Sequence, residues 1–366
     1  MDLFRCQSCE QVVFFESVKC TRCGHVLAFL PDRLVMSALE PEGTASSQPD
    51  AAVWRALAAE AKGARFRLCR NSTEHGVCNW AVDANDPDGY CRSCRLNHMI
   101  PNLADAKALE AWHRIEIAKR RLLHTLLKLG LPVETKAENP QGGLAFDFLK
   151  DGEDAKVFTG HSDGLITINA AEADDPFREK MREQLGETYR TVLGHFRHES
   201  GHYYWERLVA NGPKLKEFRE LFGDEQQSYE AACARHYAEG PPADWWERYV
   251  SSYATMHPWE DWAETWAHYL HMVDGLETAR AYGLSLRPAS AGAAAELAVT
   301  ARRLDPRSFD DLMKGWIPLT LALNSMNRSF GTRDPYPFVL APPAIEKLRF
   351  VHDVVEAAGD RVPSAA

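Results

Sequence analysis

His198-Glu199-Ser200-Gly201-His202 sits inside the stretch Tyr189 to Val209, which contains no proline and has helical spacing. On a helix, residues i and i+4 project from one face about a turn apart. His198 and His202 therefore aim two imidazoles at one place, within reach of a single zinc ion at about 2.0–2.1 Å from each nitrogen. Glu199 is rotated by about 100° from His198. Its carboxylate can approach a metal-bound water without ligating the metal, as a general base on water whose pKa zinc lowers to about 7. Gly201 permits close approach of neighbouring backbone or substrate. In a chain with fourteen histidines such a motif also arises by chance, so the rest of the sequence must supply the remainder of the centre.

A catalytic zinc needs a third protein ligand and one open position. His195 shares the face of His198 and His202 but is separated from His202 by about 10.5 Å along the axis, which suits packing or support of the site better than ligation. Trp259-Glu-Asp-Trp-Ala-Glu-Thr-Trp-Ala-His268 is the better source. Glu260, Glu264 and His268 follow i, i+4, i+8 and stack along one helical face. Trp259, Trp262 and Trp266 would pack that helix into a core, where carboxylates are costly without a cationic partner. A zinc ion held by two histidines is such a partner. Tyr253 lies seven residues before Glu260 and is a candidate phenol donor to an oxyanion; Tyr249 and His257 are near it.

Eight of the nine cysteines fall into two groups. Cys6-x2-Cys9 and Cys20-x2-Cys23, ten residues apart, each form a turn that points two thiolates at one point, the pattern of a zinc ribbon. Cys69, Cys78, Cys91 and Cys94 predict a second structural zinc module, with His75 and His98 as possible substitutes for one thiolate. Cys233 stands alone and is expected to be a buried thiol. The cofactor expectation is zinc: one catalytic ion and two structural ones.

The polar stretch Glu40 to Asp50 reads as a linker. Ala104 to Leu129 has helical spacing, with Leu109, Trp112, Ile115, Leu122, Leu126 and Leu129 on one face, a solvated basic face opposite, and Gly130 and Pro132 as punctuation. Leu144 to Ala170 holds short β-rich runs, and from Pro176 to about Leu304 the pattern is mostly helical, with loops at Asn211 to Pro213 and Gly240 to Pro242. The net charge of −10 weighs against general nucleic-acid binding, which needs excess positive charge. The N-terminus, Met-Asp-Leu-Phe-Arg-Cys, lacks the pattern of a signal peptide, and no run of some 18 apolar residues predicts a membrane span. A cytoplasmic location is expected, where cysteines serve as metal ligands sooner than as disulfides.

HESGH followed by a helix reading E-x-x-x-E resembles the gluzincin metallopeptidases, in which two histidines and a glutamate bind zinc. The whole string, from the Cys-x2-Cys ribbon through CRSCRLN and RHESGHYYW to HPWEDWAETWAHYLH, resembles a bacterial family of zinc-binding metallopeptidases with an N-terminal zinc ribbon, over roughly residues 1–340. The resemblance implies Glu260 as third ligand and Glu264 as an acceptor that orients a zinc histidine, but not the substrate. The site chemistry leads to the expectation of peptide-bond hydrolysis, with a peptide or protein as substrate, and the zinc ribbon is a candidate surface for a protein partner. The spacing departs from the compact pattern, since 57 residues separate His202 from Glu260, and either glutamate remains a candidate ligand. The expected fold is α+β, mostly α: a zincin-like catalytic domain with a small antiparallel sheet, preceded by zinc-ribbon modules. The expected boundaries are 1–35 for the ribbon, 36–103 for the linker and second cysteine module, 104–340 for the catalytic domain and 341–366 for a C-terminal helix and tail. Two other functions fit the motifs, a zinc hydrolase of non-peptide amides and a non-catalytic zinc-ribbon interaction protein. The intact Glu199 argues against the latter.

Overall fold

The computed structural model describes residues 2–43, 52–152, 156–184, 187, 189–289 and 297–360. The chain forms two compact units: Met1–Lys128, Pro132–Gly160 and Gly164–Asp174 make the first, and Leu129–Leu131, His161–Asp163 and Asp175–Ala366 the second.

In the first unit, β1 (Phe4–Arg5) and β2 (Val12–Val13) pair antiparallel on either side of the first cysteine turn. β3 (Val26–Leu30), β4 (Val35–Pro41), β5 (Trp54–Ala56), β6 (Arg65–Leu68) and β7 (Ala81–Asp83) form an antiparallel sheet in that order, with the short helix α1 (Arg70–Thr73) between the last two. Ala28, Leu30, Leu39, Ala56 and Ala81 bury one apolar cluster on it. The polar stretch read as a linker begins within this sheet: Glu40 and Pro41 close β4, whereas residues 44–50 lie outside the described part.

β8 (Asn97–Met99), α2 (Ala106–Lys128), β9 (Ala145–Leu149), β10 (Gly160–Ser162) and β11 (Leu165–Asn169) follow. The mostly α, α+β class is as expected, but the direction of these strands is not. β11 and β8 both pair parallel to β9, where a small antiparallel sheet was expected. The physical reason is the turn Asp163-Gly164, with φ of 48° and 77°. Two successive left-handed residues make the tightest chain reversal, so the chain turns just before β11 and re-enters in the direction of β9.

Trp112, Ile115, Leu122 and Leu126 of α2 are buried as the spacing requires. Two of the basic residues are not solvated: Lys119, which falls on the same face as these apolar residues, and Arg120 next to it are buried too. Their compensation is Glu116, whose Oε1 accepts from Lys119 Nζ (2.8 Å), Asn97 Nδ2 (2.7 Å) and Trp112 Nε1 (3.2 Å), while Arg120 donates to Val77 O at 2.6 Å. A buried charge is tolerable only when paired in this way.

The second unit is helical: α3 (Asp175–Gln184), α4 (Val192–Leu208), α5 (Leu215–Phe222), α6 (Tyr229–Glu239) and α7 (Pro258–Ala281), then the antiparallel pair β12 (Ser285–Leu286) and β13 (Val299–Thr300), α8 (Phe309–Ser329) and α9 (Pro342–Gly359). α7 is the central element and packs against α4, α5, α8 and α9. Pro258 opens it, and the His257 ring accepts the backbone N–H of Trp259 at 3.1 Å as a cap. Trp262 and Trp266 are fully buried. Arg197 pairs with Asp274 across α4 and α7, and Lys347 of α9 with Asp261 of α7 at 2.6 Å. No helix among the described residues is long and apolar enough to cross a membrane.

Candidate metal centres

Residues 198–202 lie in the middle of α4, whose first turn is fixed by Thr191: its side-chain oxygen accepts the Gly194 N–H at 2.9 Å. Two of the three residues between the histidines, Ser200 and Gly201, form the seam with α7. A Cβ at Gly201 would stand 2.9 Å from Ala263 Cα and 3.2 Å from Trp266 Cβ, so only glycine allows the two backbones this separation. Trp262 Nε1 donates to Gly201 O at 2.8 Å and Trp266 Nε1 to Ser200 Oγ at 3.1 Å. The tryptophans thus fix the axial register of α7 against α4, and with it the height of Glu260 opposite the histidines.

At that height Glu260 Oε2 lies 3.0 Å from His198 Nε2, and Glu260 Oε1 lies 3.4 Å from His202 Nε2. Ligand atoms about 2.0–2.2 Å from a tetrahedral ion stand about 3.3–3.6 Å apart, close to what is seen. His198 Nδ1 bonds to Glu264 Oε1 at 2.7 Å, and Glu264 Oε2 accepts from Ser251 Oγ at 2.6 Å. With Nδ1 donating, the Nε2 lone pair of His198 faces Glu260. Glu260 Oε2, 3.0 Å away, is buried and has no hydrogen bond of acceptable geometry. A proton or a metal ion between them relieves two buried acceptors that face each other, and two imidazoles with a carboxylate suit zinc. Burial pulls the His198 imidazole towards the neutral form, yet Glu260 and Glu264 hold its proton affinity well above the ordinary value. Burial likewise opposes ionising Glu260, and His202 and His198 outweigh it, holding this carboxyl well below its usual range. The pocket is built around a positive charge.

Glu199 is buried, with 7% of its surface exposed. Burial raises its pKa, as do the Glu260 and Glu264 charges, against His198 and His202. Tyr253 packs with its ring centroid 6.0 Å from that of His198. Tyr229, at the start of α6, donates its phenol O–H to Glu260 Oε1 at 2.9 Å; nothing in the sequence pattern singled it out, 31 residues from its partner. His161 was missed for the same reason: it packs against the rings of His202, Tyr203 and Trp259, with centroids 6.2–6.5 Å apart. Trp259 covers the His202 ring at 4.0 Å. His195 and His268 lie outside the ligand group. His195 is half-buried, whereas His268 is buried and meets Tyr336 Oη through Nδ1 at 3.3 Å. Tyr249 packs on the Lys347 ammonium, 4.2 Å from its ring centroid, and is not part of the ligand group.

The cysteines gather as their spacing indicates, into Cys6, Cys9, Cys20 and Cys23 and into Cys69, Cys78, Cys91 and Cys94. Cys6 and Cys23 sulfurs are 3.5 Å apart, Cys9 and Cys20 3.6 Å, and Cys78 and Cys91 3.6 Å. Disulfide sulfurs would be at about 2.05 Å, whereas four thiolates on one zinc at about 2.3 Å stand about 3.8 Å apart. The two halves of the first site share one backbone turn. Glu10 N–H donates to Cys6 O and Gly24 N–H to Cys20 O, both at 2.9 Å, and Glu10 and Gly24 both have left-handed φ, 60° and 78°. In the second site backbone N–H groups point at sulfur, from Trp80 to Cys78 and from Cys91 to Cys69, each at 3.4 Å. Burial opposes ionisation of the Cys78 thiol, but the neighbouring sulfurs and the Arg120 guanidinium bring its pKa well down. His75 and His98 are outside these clusters: His75 packs on Trp112 and His98 Nδ1 bonds to Asp147 Oδ1 at 2.8 Å. Cys233 is half-buried on α6 and not enclosed as expected, because α6 buries little of its surface.

Two histidines and a glutamate that could hold a metal ion, on paired helices in a chain that opens with four-cysteine clusters, are the donor sets of a zinc-binding protein. Residues 108–354 match the family described as "Putative zinc-binding metallo-peptidase", and residues 3–105 match a zinc-ribbon domain. The chain belongs to that metallopeptidase family. It is similar to uncharacterized proteins of Mycobacterium bovis and of two strains of Mycobacterium tuberculosis, each 42% identical over 363 residues, covering 99% of this chain and 97% of the relative. No solved structure matches.

Proposed function

We propose that the chain is a zinc-dependent metallopeptidase that hydrolyses peptide bonds, with His198, His202 and Glu260 holding the catalytic ion. The observation that carries this reading is the meeting of His198 Nε2, His202 Nε2 and the Glu260 carboxylate beside a buried glutamate, Glu199, that is not among the ligands. A purely structural site has no use for such a group. Bound zinc would polarise the scissile carbonyl and lower the pKa of the attacking water.

Glu199 takes the proton from the attacking water and delivers it to the leaving amine. Glu264, held by Ser251, fixes the ring orientation and tautomer of His198. Tyr253 supplies a phenol O–H to the oxyanion that develops at the substrate carbonyl. The two four-cysteine clusters hold structural zinc, one within a ribbon at residues 1–35 and one in the module that follows, and the ribbon offers a surface to a protein partner. The catalytic domain spans 104–340, and the enzyme works in the cytoplasm on peptide or protein substrates.

The test is a cleavage profile of proteome-derived peptides by wild-type protein and Glu199→Gln, both with zinc content measured. The variant is expected to keep its zinc and to lose about 10²–10⁴-fold in rate. Equal rates would refute the mechanism.

A further inference from the structure

Tyr229 reaches the metal centre from a helix that otherwise takes little part in the core. Along α6 only Ala232 is buried, and Tyr229 itself is 41% exposed. Its phenol nevertheless donates to Glu260, a carboxylate with 1% of its surface exposed, at 2.9 Å. The bond falls on Oε1 and leaves Oε2 buried without a hydrogen bond, beside His198 Nε2. Oε1 thus carries the Tyr229 hydrogen bond in addition to standing 3.4 Å from His202 Nε2, whereas Oε2 has no hydrogen bond and faces only the place of the ion.

The segment that carries Tyr229 is tied to the start of α7. His257 Nδ1 accepts from the Trp259 N–H, so its Nε2 carries the proton and donates to Gln227 O at 3.2 Å, two residues before Tyr229. The Tyr229 ring meets the rings of His257 at 5.4 Å and Trp259 at 6.2 Å. These contacts fix the phenol relative to Glu260 without help from the rest of α6.

We infer that Tyr229 is a positioning residue that restricts Glu260 to one-oxygen ligation. The inference rests on the reading of Glu260 as a metal ligand. Its consequence is chemical. A carboxylate bound through both oxygens fills an additional coordination position, whereas one bound through a single oxygen leaves that position to water or substrate. Outer partners of this kind also set affinity, since losing one costs about 10–100-fold in metal binding.

The test uses full-length protein with zinc in the cysteine clusters and cobalt(II) in the histidine–glutamate centre. The intensity of the cobalt d–d band reports coordination number, being strong for four ligands and weaker for five. Tyr229→Phe is expected to weaken the band and to lower cobalt affinity about 10–100-fold. Tyr237→Phe, on the exposed side of the same helix, should behave as wild type. Glu260→Ala should lose nearly all cobalt from the centre. An unchanged band in Tyr229→Phe, with or without a fall in affinity, would overturn the inference while the loss of metal in Glu260→Ala left the ligand reading intact. Cobalt retained by Glu260→Ala would overturn the ligand reading itself.

Discussion

Glu260 and Glu264 carry the same side chain one helical turn apart, and their neighbours divide the work between them. Glu260 faces both ring Nε2 atoms, whereas Glu264 is bonded to His198 Nδ1 and Ser251 Oγ. Removing a ligand should nearly abolish metal binding, and removing its outer partner should weaken it about 10–100-fold. Zinc affinities of Glu260→Ala and Glu264→Ala, measured by chelator competition, are therefore expected to fall in that order of severity, and the reverse order would exchange the two roles. His268, one turn further on, supplies a pH dependence. Burial lowers its pKa to about 4, with Glu264 opposing and Arg197 assisting. Between about 6.5, the ordinary value, and about 4 the unfolded chain binds the extra proton, so stability falls as pH falls through that window and is flat above it. Thermal melts of His268→Asn at pH 7.5 and pH 5 should show a smaller acid loss than wild type. An equal loss would place the acid sensitivity elsewhere. At this scale the sequence was legible wherever spacing carried the chemistry, as in the i, i+4 histidines and the cysteine turns. Tyr229 and His161 were not legible, because no local pattern links either to partners tens of residues away.

Among the elements, the pairing of α4 with α7 sets the geometry of the centre, and Gly201 is its tightest point. An added Cβ would press on backbone, Ala263 Cα at 2.9 Å, and not on the movable end of a side chain. Gly201→Ala is expected to cost about 1–3 kcal/mol, the range for overpacking a core, and to lower the urea midpoint accordingly. A midpoint equal to wild type would mean that the helices separate freely. The helices were readable because tryptophans and leucines recur at helical spacing, whereas the starts of α4 and α7, set by Thr191 and by His257 with Pro258, were not read from the sequence. Strand direction was not readable. Alternation gives a strand and its faces, but the parallel pairing of β9 with β11 depends on a chain reversal within two residues, Asp163 and Gly164. The buried charges of α2 were hidden for a related reason, since the partners of Glu116 include Asn97 on a separate strand.

For the molecule as a whole, the described residues hold three donor clusters, two of four cysteines and one of two histidines with Glu260. They differ in what they leave open. The cysteine clusters offer four donors each and would close around an ion, whereas the histidine cluster offers three and would leave a position for chemistry. Protein purified without added metal should accordingly contain about three zinc ions per chain. Chelation should remove the three-ligand ion first, abolishing activity before the fold is lost, because closed structural sites contribute to folding itself. The most direct measurement is an anomalous difference map at the zinc absorption edge from crystals of the full chain. Three peaks are expected, one of them about 2.0–2.2 Å from His198 Nε2, His202 Nε2 and a Glu260 oxygen. Peaks at the two cysteine clusters with none between α4 and α7 would contradict a catalytic zinc at this centre.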